Sequence, residues 1–426
     1  MVKVEKISQS ITPFGGISFV HDIFERSGMR KLIDKELGTR NSTFGYTYGT
    51  LLGTWFDLFL CGGDCAEDME EHLYDTLSAI PGNRVCKADT LLRCLKELSV
   101  ENTPFTSDSG NTYQFNINEK LNSLMIKSLL LTGQLEKGKS CDFDYDNQII
   151  EHEKYDAKRT YKKNTGYFPG AAAIGDRMFY IENRDGNAGV KTGQAETLQR
   201  AYRLLSANGL KVRRSRMDAG SYSKEIIEVA AAHSELFYIR ANRCASLTER
   251  IRQIETWETV EINFKEYQVA SLQFTQFFED RNYRLTVMRE KSDNPQADLF
   301  TGDNFIYRSI LTNDHESSEK EVIEYYNQRG ASEKNFDTMN NDFGWKHLPC
   351  SDMPYNTVYM IITAMIKNFY LYILPKIAEA FKNISPATRL KRFIFRFICV
   401  AGRWVYQNRG WKLRLYTDRP YERLVA

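Results

Sequence analysis

The sequence predicts an α/β protein in which a helical N-terminal part precedes a mixed sheet. Apolar residues recur every three to four positions through much of residues 1–135, which is typical of helices. From Ser140 to Ala241, short apolar runs read in the order strand, strand, strand, helix, strand, helix, strand. Helical periodicity returns after Ser317, a candidate N-cap followed by Glu319 and Glu321.

The individual elements follow from periodicity and from turn residues. In the N-terminal part, helices are expected at 17–37, 48–60 and 90–98, followed by a polar linker at 102–112. Gly175 and Asp176 predict a hairpin turn, and Asn208 with Gly209 predicts a helix end. In the sheet, the strands are expected at 141–150, 167–174, 177–183, 210–217 and 236–241, with helices at 194–207 and 223–233.

Residues 242–303 form a second strand-rich block with the character of an insertion. Its predicted strands are 257–264, 267–278 and 282–289, and a further strand at 305–312 leads into the helix that carries Tyr326. The predicted domains are a helical N-terminal domain (1–135), a core in two parts (136–241 and 304–380), the insertion (242–303) and a basic, helical C-terminal region (381–426).

Composition indicates a folded protein of a reducing compartment. The 426 residues are 42% hydrophobic and 13% aromatic, enough for substantial cores. Eight scattered cysteines suggest no disulfide framework, and no signal-peptide pattern is evident, so the expected compartment is the cytoplasm. The apolar run at 356–375 is interrupted by Lys367 and is predicted to be a buried helix rather than a membrane span.

Charge is distributed unevenly along the chain. The formal net charge is only +2, but residues 385–426 contain ten Lys or Arg against Asp418 and Glu422. Aromatic residues alternate with these cations, a combination that suits nucleic acid. The alternative is an ordinary helix whose arginines extend over apolar surface.

One octapeptide, residues 326–333, combines three chemically distinct groups. As a helix, it places Tyr326, Arg329 and Glu333 at i, i+3 and i+7 on one face. Glutamate oxygens bind divalent cations, a guanidinium binds phosphate oxygens, and a tyrosine stacks and hydrogen-bonds. The alternative is a solvated helix face with an internal ion pair.

Further carboxylates lie on predicted strands. Asp142, Asp144 and Asp146 alternate, so they share a strand face, and Asp218 follows a strand directly before a turn. With Glu333, such groups suit two Mg²⁺ or Mn²⁺ ions that promote displacement at phosphorus. The alternatives are a solvent-exposed strand face and, for Asp218, ordinary turn chemistry.

These residues together resemble the bacterial insertion-sequence DDE transposases, whose signature is Y-(2)-R-(3)-E-(6)-K. Tyr326, Arg329 and Glu333 match its first three positions, and Asn340 stands where the family usually has Lys. The resemblance extends over most of the chain, including residues 12–16, 62–64, 89–93, 166–169, 183–187 and 216–220. Because these families usually have Thr or Ser two residues after the first aspartate, and Asp146 stands there after Asp144, we select Asp144 with Asp142 in reserve.

The resemblance implies a helical N-terminal domain that binds DNA and an RNase H-like catalytic core with an insertion between the second aspartate and the glutamate. It implies Asp144, Asp218 and Glu333 as catalytic ligands of two Mg²⁺ ions, for which Mn²⁺ substitutes. The expected DNA contacts are Tyr326, Arg329, Asn340, Arg216, Lys158 and Lys162, with a solvated basic loop as the alternative for the lysines.

The implied activity is cut-and-paste transposition by a bacterial, nucleoid-associated enzyme. Its partners would be the terminal inverted repeats of its element and target DNA, bound by a homodimer. Two alternatives remain open: a stand-alone RNase H-like nuclease or resolvase, and a transposase-derived DNA-binding protein without catalysis.

Overall fold

The computed structural model describes residues 2–5, 11–40, 45–107, 109–242, 244–278, 280–292 and 304–424. The N-terminal part is helical, as predicted. Thr47 caps the helix that begins at Tyr48, because its hydroxyl accepts from the Thr50 backbone N–H. The helices are α1 (Ile17–Arg26), α2 (Met29–Leu37), α3 (Tyr48–Leu60), α4 (Tyr74–Ser78), α5 (Ala88–Glu97) and α6 (Glu119–Leu131).

The sheet region begins earlier in the chain than the sequence pattern suggests. The expected linker at 102–112 instead contributes a hairpin of β1 (Thr103–Thr106) and β2 (Thr112–Asn116), and β2 pairs with β8. The strands up to β10 are β3 (Ser140–Asn147), β4 (Ile150–Glu151), β5 (Lys158–Arg159), β6 (Thr165–Tyr167), β7 (Gly170–Ile174), β8 (Arg177–Arg184), β9 (Lys211–Met217) and β10 (Ser234–Arg240).

Five of these strands form one half of the sheet, in the order β8-β7-β3-β9-β10. β8, β7 and β3 are antiparallel neighbours, whereas β3, β9 and β10 run parallel. Two helices provide the connections to β9 and β10, namely α7 (Gln194–Ala207) and α8 (Lys224–His233). This strand order, with its crossover helices, confirms the predicted RNase H-like core.

The strands of the predicted insertion extend the same sheet. After β10 the order continues β14-β13-β12-β11, all antiparallel. Residues 293–303, where this segment was expected to end, lie outside the described residues. The elements are α9 (Ala245–Arg252), β11 (Glu258–Ile262), β12 (Lys265–Phe274), β13 (Tyr283–Lys291) and β14 (Phe305–Thr312).

Three helices complete the core: α10 (Glu319–Asn327), α11 (Gly330–Asp342) and α12 (Met353–Ala378). By length and composition α12 is apolar enough to cross a membrane, but 89% of its most apolar window is buried inside the protein. This burial agrees with the predicted core helix. Lys367 of α12 donates to the side chain of Asn335 on α11 at 2.6 Å, and Asn368 donates to Met178 O on β8 at 2.6 Å.

The C-terminal region combines a short helix with a β-hairpin. After α13 (Leu390–Phe393) and a π-helical turn at Ile394–Ile398, strands β15 (Gly402–Gln407) and β16 (Gly410–Leu415) pair antiparallel. Asn408 and Arg409 at the turn have positive φ values of 54° and 60°, which fits a tight two-residue hairpin turn. The helical periodicity of this region therefore ends before residue 402.

Candidate active site

Three parallel strands end side by side at one edge of the sheet. Tyr145 on β3 is level with Met217 of β9, and Met217 is level with Ile239 on β10. The next residue on each strand is therefore Asp146, Asp218 and Arg240, respectively. Because paired residues of parallel strands point to the same face, these three side chains form one row. Carboxyl ends of parallel strands are where α/β sheets form their sites.

Asp146 is the carboxylate of this row on β3, and its side chain is 13% exposed. Its Oδ2 accepts from Arg329 Nη1 at 2.9 Å, and its Oδ1 accepts from the Asn147 backbone N–H at 2.9 Å. The pKa of Asp146 is raised to about 6, mainly by burial and also by the Asp218 carboxylate, although Arg329 lowers it. Asp146 and Asp218 thus lie close enough to influence each other, and carboxylate oxygens in such a pair suit a divalent cation.

Asp144 lies two residues earlier on β3 and has a different environment. Its side chain is 1% exposed, and both oxygens accept from Arg216, at 2.7 and 2.8 Å. Arg216 in turn donates to Tyr325 O at the end of α10, at 2.9 Å. Asp142 has an equivalent, partly exposed pair with Arg214. Both aspartates therefore form ion pairs with arginines of β9, and these pairs connect β3 to β9.

The sequence pattern proposed Arg216 as a DNA contact, but the structure places it in the protein interior. Arg216 is 6% exposed, and its guanidinium lies 4.6 Å from the centre of the Tyr325 ring. All of its described partners belong to the sheet and α10. No exposed surface is left for a phosphate, so we do not retain Arg216 as a DNA contact.

Asp218 follows β9 and leads into a 3₁₀ turn at Ala219–Ser221. Its Oδ1 lies 3.4 Å from the Ser221 hydroxyl, and the side chain is partly exposed. A Cβ at Gly220 would lie 2.6 Å from Val190 Cγ1 and 3.1 Å from Asp218 Oδ1. Glycine at this position therefore lets the chain turn without displacing the carboxylate.

The helix carrying Tyr326, Arg329 and Glu333 is interrupted. The backbone N–H groups of Gln328 and Arg329 bond three residues back, to Tyr325 and Tyr326, and α11 starts at Gly330. Such a tight turn changes the helical phase. Tyr326 is buried and donates to Met217 O at 3.2 Å, and Arg329 reaches Asp146.

Glu333 is not part of the contact between Arg329 and Asp146. Its side chain is 71% exposed, and its Oε1 is 3.4 Å from Arg329 Nη2. Arg329 thus lies between Glu333 and Asp146 and bridges the two carboxylates. Within the described chain, three ligand-type side chains come within 4.8 Å of one another at Asp64, Cys65 and Asp68, but not at Asp146, Asp218 and Glu333.

The other predicted DNA contacts, Asn340, Lys158 and Lys162, lie on segments outside this row. Asn340 on α11 donates to the Gln148 side chain at 3.0 Å, just beyond the end of β3. Lys158 on β5 and Lys162 in the turn before β6 are both exposed, and they belong to the segment that connects the end of β3 to the start of β7.

Two residues of the row, Asp146 and Arg240, were not selected from the sequence. Asp146 was passed over because it occupies the position of the usual Thr or Ser. Arg240 is exposed at the end of β10, and its charge lowers the pKa of Tyr326, although burial raises that pKa to about 12 overall. Both residues could have been identified if the ends of the strands had been predicted correctly, because each lies at the carboxyl end of a parallel strand.

The site therefore belongs to an RNase H-like protein with two carboxylates, Asp146 and Asp218, at the ends of adjacent parallel strands. A family model described as "Transposase DDE domain group 1" matches residues 1–426, so the chain belongs to the DDE transposase family. Members of this family are DNA transposases, and they generally use divalent metal ions.

No curated protein sequence matches the chain. Among solved structures, the chain is similar to the "piggyBac transposase synaptic complex with hairpin DNA", with 14% identity and a TM-score of 0.42 over 91% of this chain and 80% of that one.

Proposed function

We propose that this DDE transposase cleaves the ends of a bacterial insertion sequence and joins the 3′-hydroxyl to target DNA, using Asp146, Asp218 and Glu333. The observation that supports Asp146 is its position beside Asp218 at the ends of adjacent parallel strands. Asp144, the residue first expected in this role, is already paired with Arg216. In this proposal, Asp144 holds the strand and Asp146 provides the ligand.

The donor set fits hard divalent cations. Carboxylate oxygens are the ligands that Mg²⁺ and Mn²⁺ prefer, and Asp146 and Asp218 supply them from the ends of adjacent parallel strands. Two such ions would activate an attacking water or 3′-hydroxyl and stabilise the leaving oxygen. Glu333, exposed on α11, would complete the ligand set, and Arg329 would hold a backbone phosphate.

The partners follow from this chemistry. The element's terminal inverted repeats supply the cleaved ends, and target DNA accepts them. Lys158, Lys162 and Asn340 would contact phosphates, whereas Tyr326 supports Arg329 from inside. A homodimer would hold two ends together, in the bacterial cytoplasm at the nucleoid.

The test uses labelled duplexes that carry the inverted repeats flanking the gene. With Mg²⁺ or Mn²⁺ the protein should release the element end and join it to a supercoiled target plasmid, and EDTA should abolish both products. Cleavage without joined product would favour a stand-alone nuclease. Duplex binding without cleavage in any divalent metal would favour a DNA-binding protein without catalysis.

Arg240 is expected to contact DNA at the reacting end. Arg240→Ala should lower cleavage about tenfold or more through loss of one charge-assisted phosphate contact, without changing the unfolding midpoint. Arg213→Ala is the matched control, because Arg213 is also exposed but lies within β9 rather than at its end. Equal loss of cleavage in the two variants would remove Arg240 from the site.

Asn340 tests the position where the family usually has Lys. Asn340→Lys should keep cleavage and tighten duplex binding, because one added cation near the end of β3 gains one phosphate contact. The slope of log K against log salt should steepen by about one. Loss of cleavage in a folded Asn340→Lys variant would show that the Gln148 contact is needed instead.

The raised pKa of Asp146 predicts a pH-dependent stability without metal. Its ordinary value is 3.8 and its folded value about 6, so the proton binds the folded form more tightly. That stabilisation is complete below about pH 3.8 and is lost as pH rises through 6. In EDTA at pH 7.5, Asp146→Asn should therefore be more stable than wild type by on the order of 2–3 kcal/mol.

Thermal or urea unfolding at two pH values measures this difference. The difference in the free energy of unfolding between the variant and wild type should shrink towards zero near pH 4, where Asp146 of the folded wild-type protein is also neutral. An Asp146→Asn variant that is no more stable than wild type at pH 7.5 would contradict the raised pKa of Asp146.

A further inference from the structure

The β15–β16 hairpin has two chemically different faces. Directly opposite residues of an antiparallel pair share a face, and the register pairs Trp404 with Leu413 and Tyr406 with Trp411. Trp404 and Leu415 on this apolar face pack against the main core. Gly15 and Gly402 also meet Leu415 there, within 3.0 Å of an added Cβ. The apolar face therefore fixes the hairpin to the protein body.

The opposite face is basic. Arg403 is directly opposite Arg414, and Val405 is opposite Lys412, so three cations share a face that carries no Asp or Glu. Lys412 and Arg414 are exposed, and Arg414 lies 3.3 Å from the Gln407 side chain. Exposed cations that share one face attract a polyanion.

The hairpin also has the dimensions of a DNA-binding ribbon. Two strands of six residues span roughly 20 Å, about the length of six base pairs. A two-stranded ribbon fits the major groove of B-DNA. Arg409 at the tip adds a fourth cation, in a turn of two exposed residues.

We propose that the basic face of this hairpin docks on the phosphate backbone of double-stranded DNA, as a contact surface separate from the carboxylate row. The inference rests on the proposed function, because it assumes that the full chain binds DNA. Charge complementarity selects the partner, and the packed apolar face leaves the basic face directed away from the core. Phosphate contacts of this kind position the protein without selecting a sequence.

Binding of the full-length protein to a fluorescent 30-base-pair duplex of unrelated sequence tests the proposal. Lys412→Ala combined with Arg414→Ala should weaken binding and lower the salt slope by about two. Between 50 and 200 mM salt, wild type should therefore lose about tenfold more affinity than this double variant. The matched control is Lys382→Ala with Arg423→Ala, which removes two exposed cations outside the hairpin and should leave the slope nearly unchanged.

The outcomes separate the two proposals. A hairpin double variant with the slope of the control overturns the docking surface and leaves the proposed function intact. A loss confined to a single-stranded probe overturns it as well, because bases stacked on Tyr406 and Trp411 would then be the contact. A wild-type protein without salt-dependent duplex binding overturns both. Unfolding midpoints within about two degrees of wild type show that the variants fold.

Discussion

Asp146→Asn should reduce cleavage of element ends about a thousandfold or more while leaving DNA binding intact. The substitution keeps the shape of the side chain but removes a charged ligand from the metal site. Metal-ion stabilisation of a phosphoryl transition state is worth several kcal/mol, and each 1.4 kcal/mol is about tenfold in rate. Single-turnover cleavage in saturating Mg²⁺ measures this loss. Duplex binding in EDTA measures whether the affinity for DNA is unchanged.

Asp144→Asn is the matched control on the same face of β3. It preserves the side-chain shape beside Arg216 and should keep cleavage within about tenfold of wild type per folded molecule, because Asp144 pairs with Arg216 and is not a ligand in the proposed metal site. The reverse result, with Asp144→Asn inactive and Asp146→Asn active, would return the first catalytic position to Asp144.

Arg216→Met should cause the largest loss of stability. It leaves Asp144 buried without its cation, and removing one partner of a buried pair costs about 3–5 kcal/mol. It also removes the donor to Tyr325 O and the contact with the Tyr325 ring, which connect α10 to β9. The free energy of unfolding in urea at pH 7 measures the loss.

The adjacent ion pair provides the control. Arg214→Met breaks a pair of the same chemistry that is partly exposed, so it should cost about 0–1 kcal/mol. Combining Arg216→Met with Asp144→Leu should recover much of the loss, since the uncompensated charge is gone. A loss for Arg216→Met no larger than that for Arg214→Met would contradict the buried-pair assignment.

The fold could be predicted largely from the sequence because its signals are local. The hairpin turn at Gly175, the helix end at Gly209 and the alternation in β11 to β13 each depend on neighbouring residues. The β1–β2 hairpin was missed because its strands are short and polar, and β2 is fixed by pairing with a strand far along the chain. The β15–β16 hairpin was missed because its aromatic and basic residues resemble a helical pattern.

The choice between Asp144 and Asp146 depends on pairing that no local pattern specifies. The predicted strand continued to residue 150, which concealed that β3 ends at Asn147, directly after Asp146. Only the register with β9 shows that Arg216 is level with Asp144 and that the next pair of carboxylates is Asp146 and Asp218. The interruption between α10 and α11 likewise separates Glu333 from Tyr326, although their spacing alone predicts one helix face.

Anomalous diffraction at the manganese edge, from crystals of the protein with Mn²⁺ and an element-end duplex, tests the central claim most directly. We expect a peak within about 2.1 Å of carboxylate oxygens of both Asp146 and Asp218, with Asp144 still paired to Arg216. A peak coordinated by Asp144, with Asp146 outside the coordination sphere, would contradict the account.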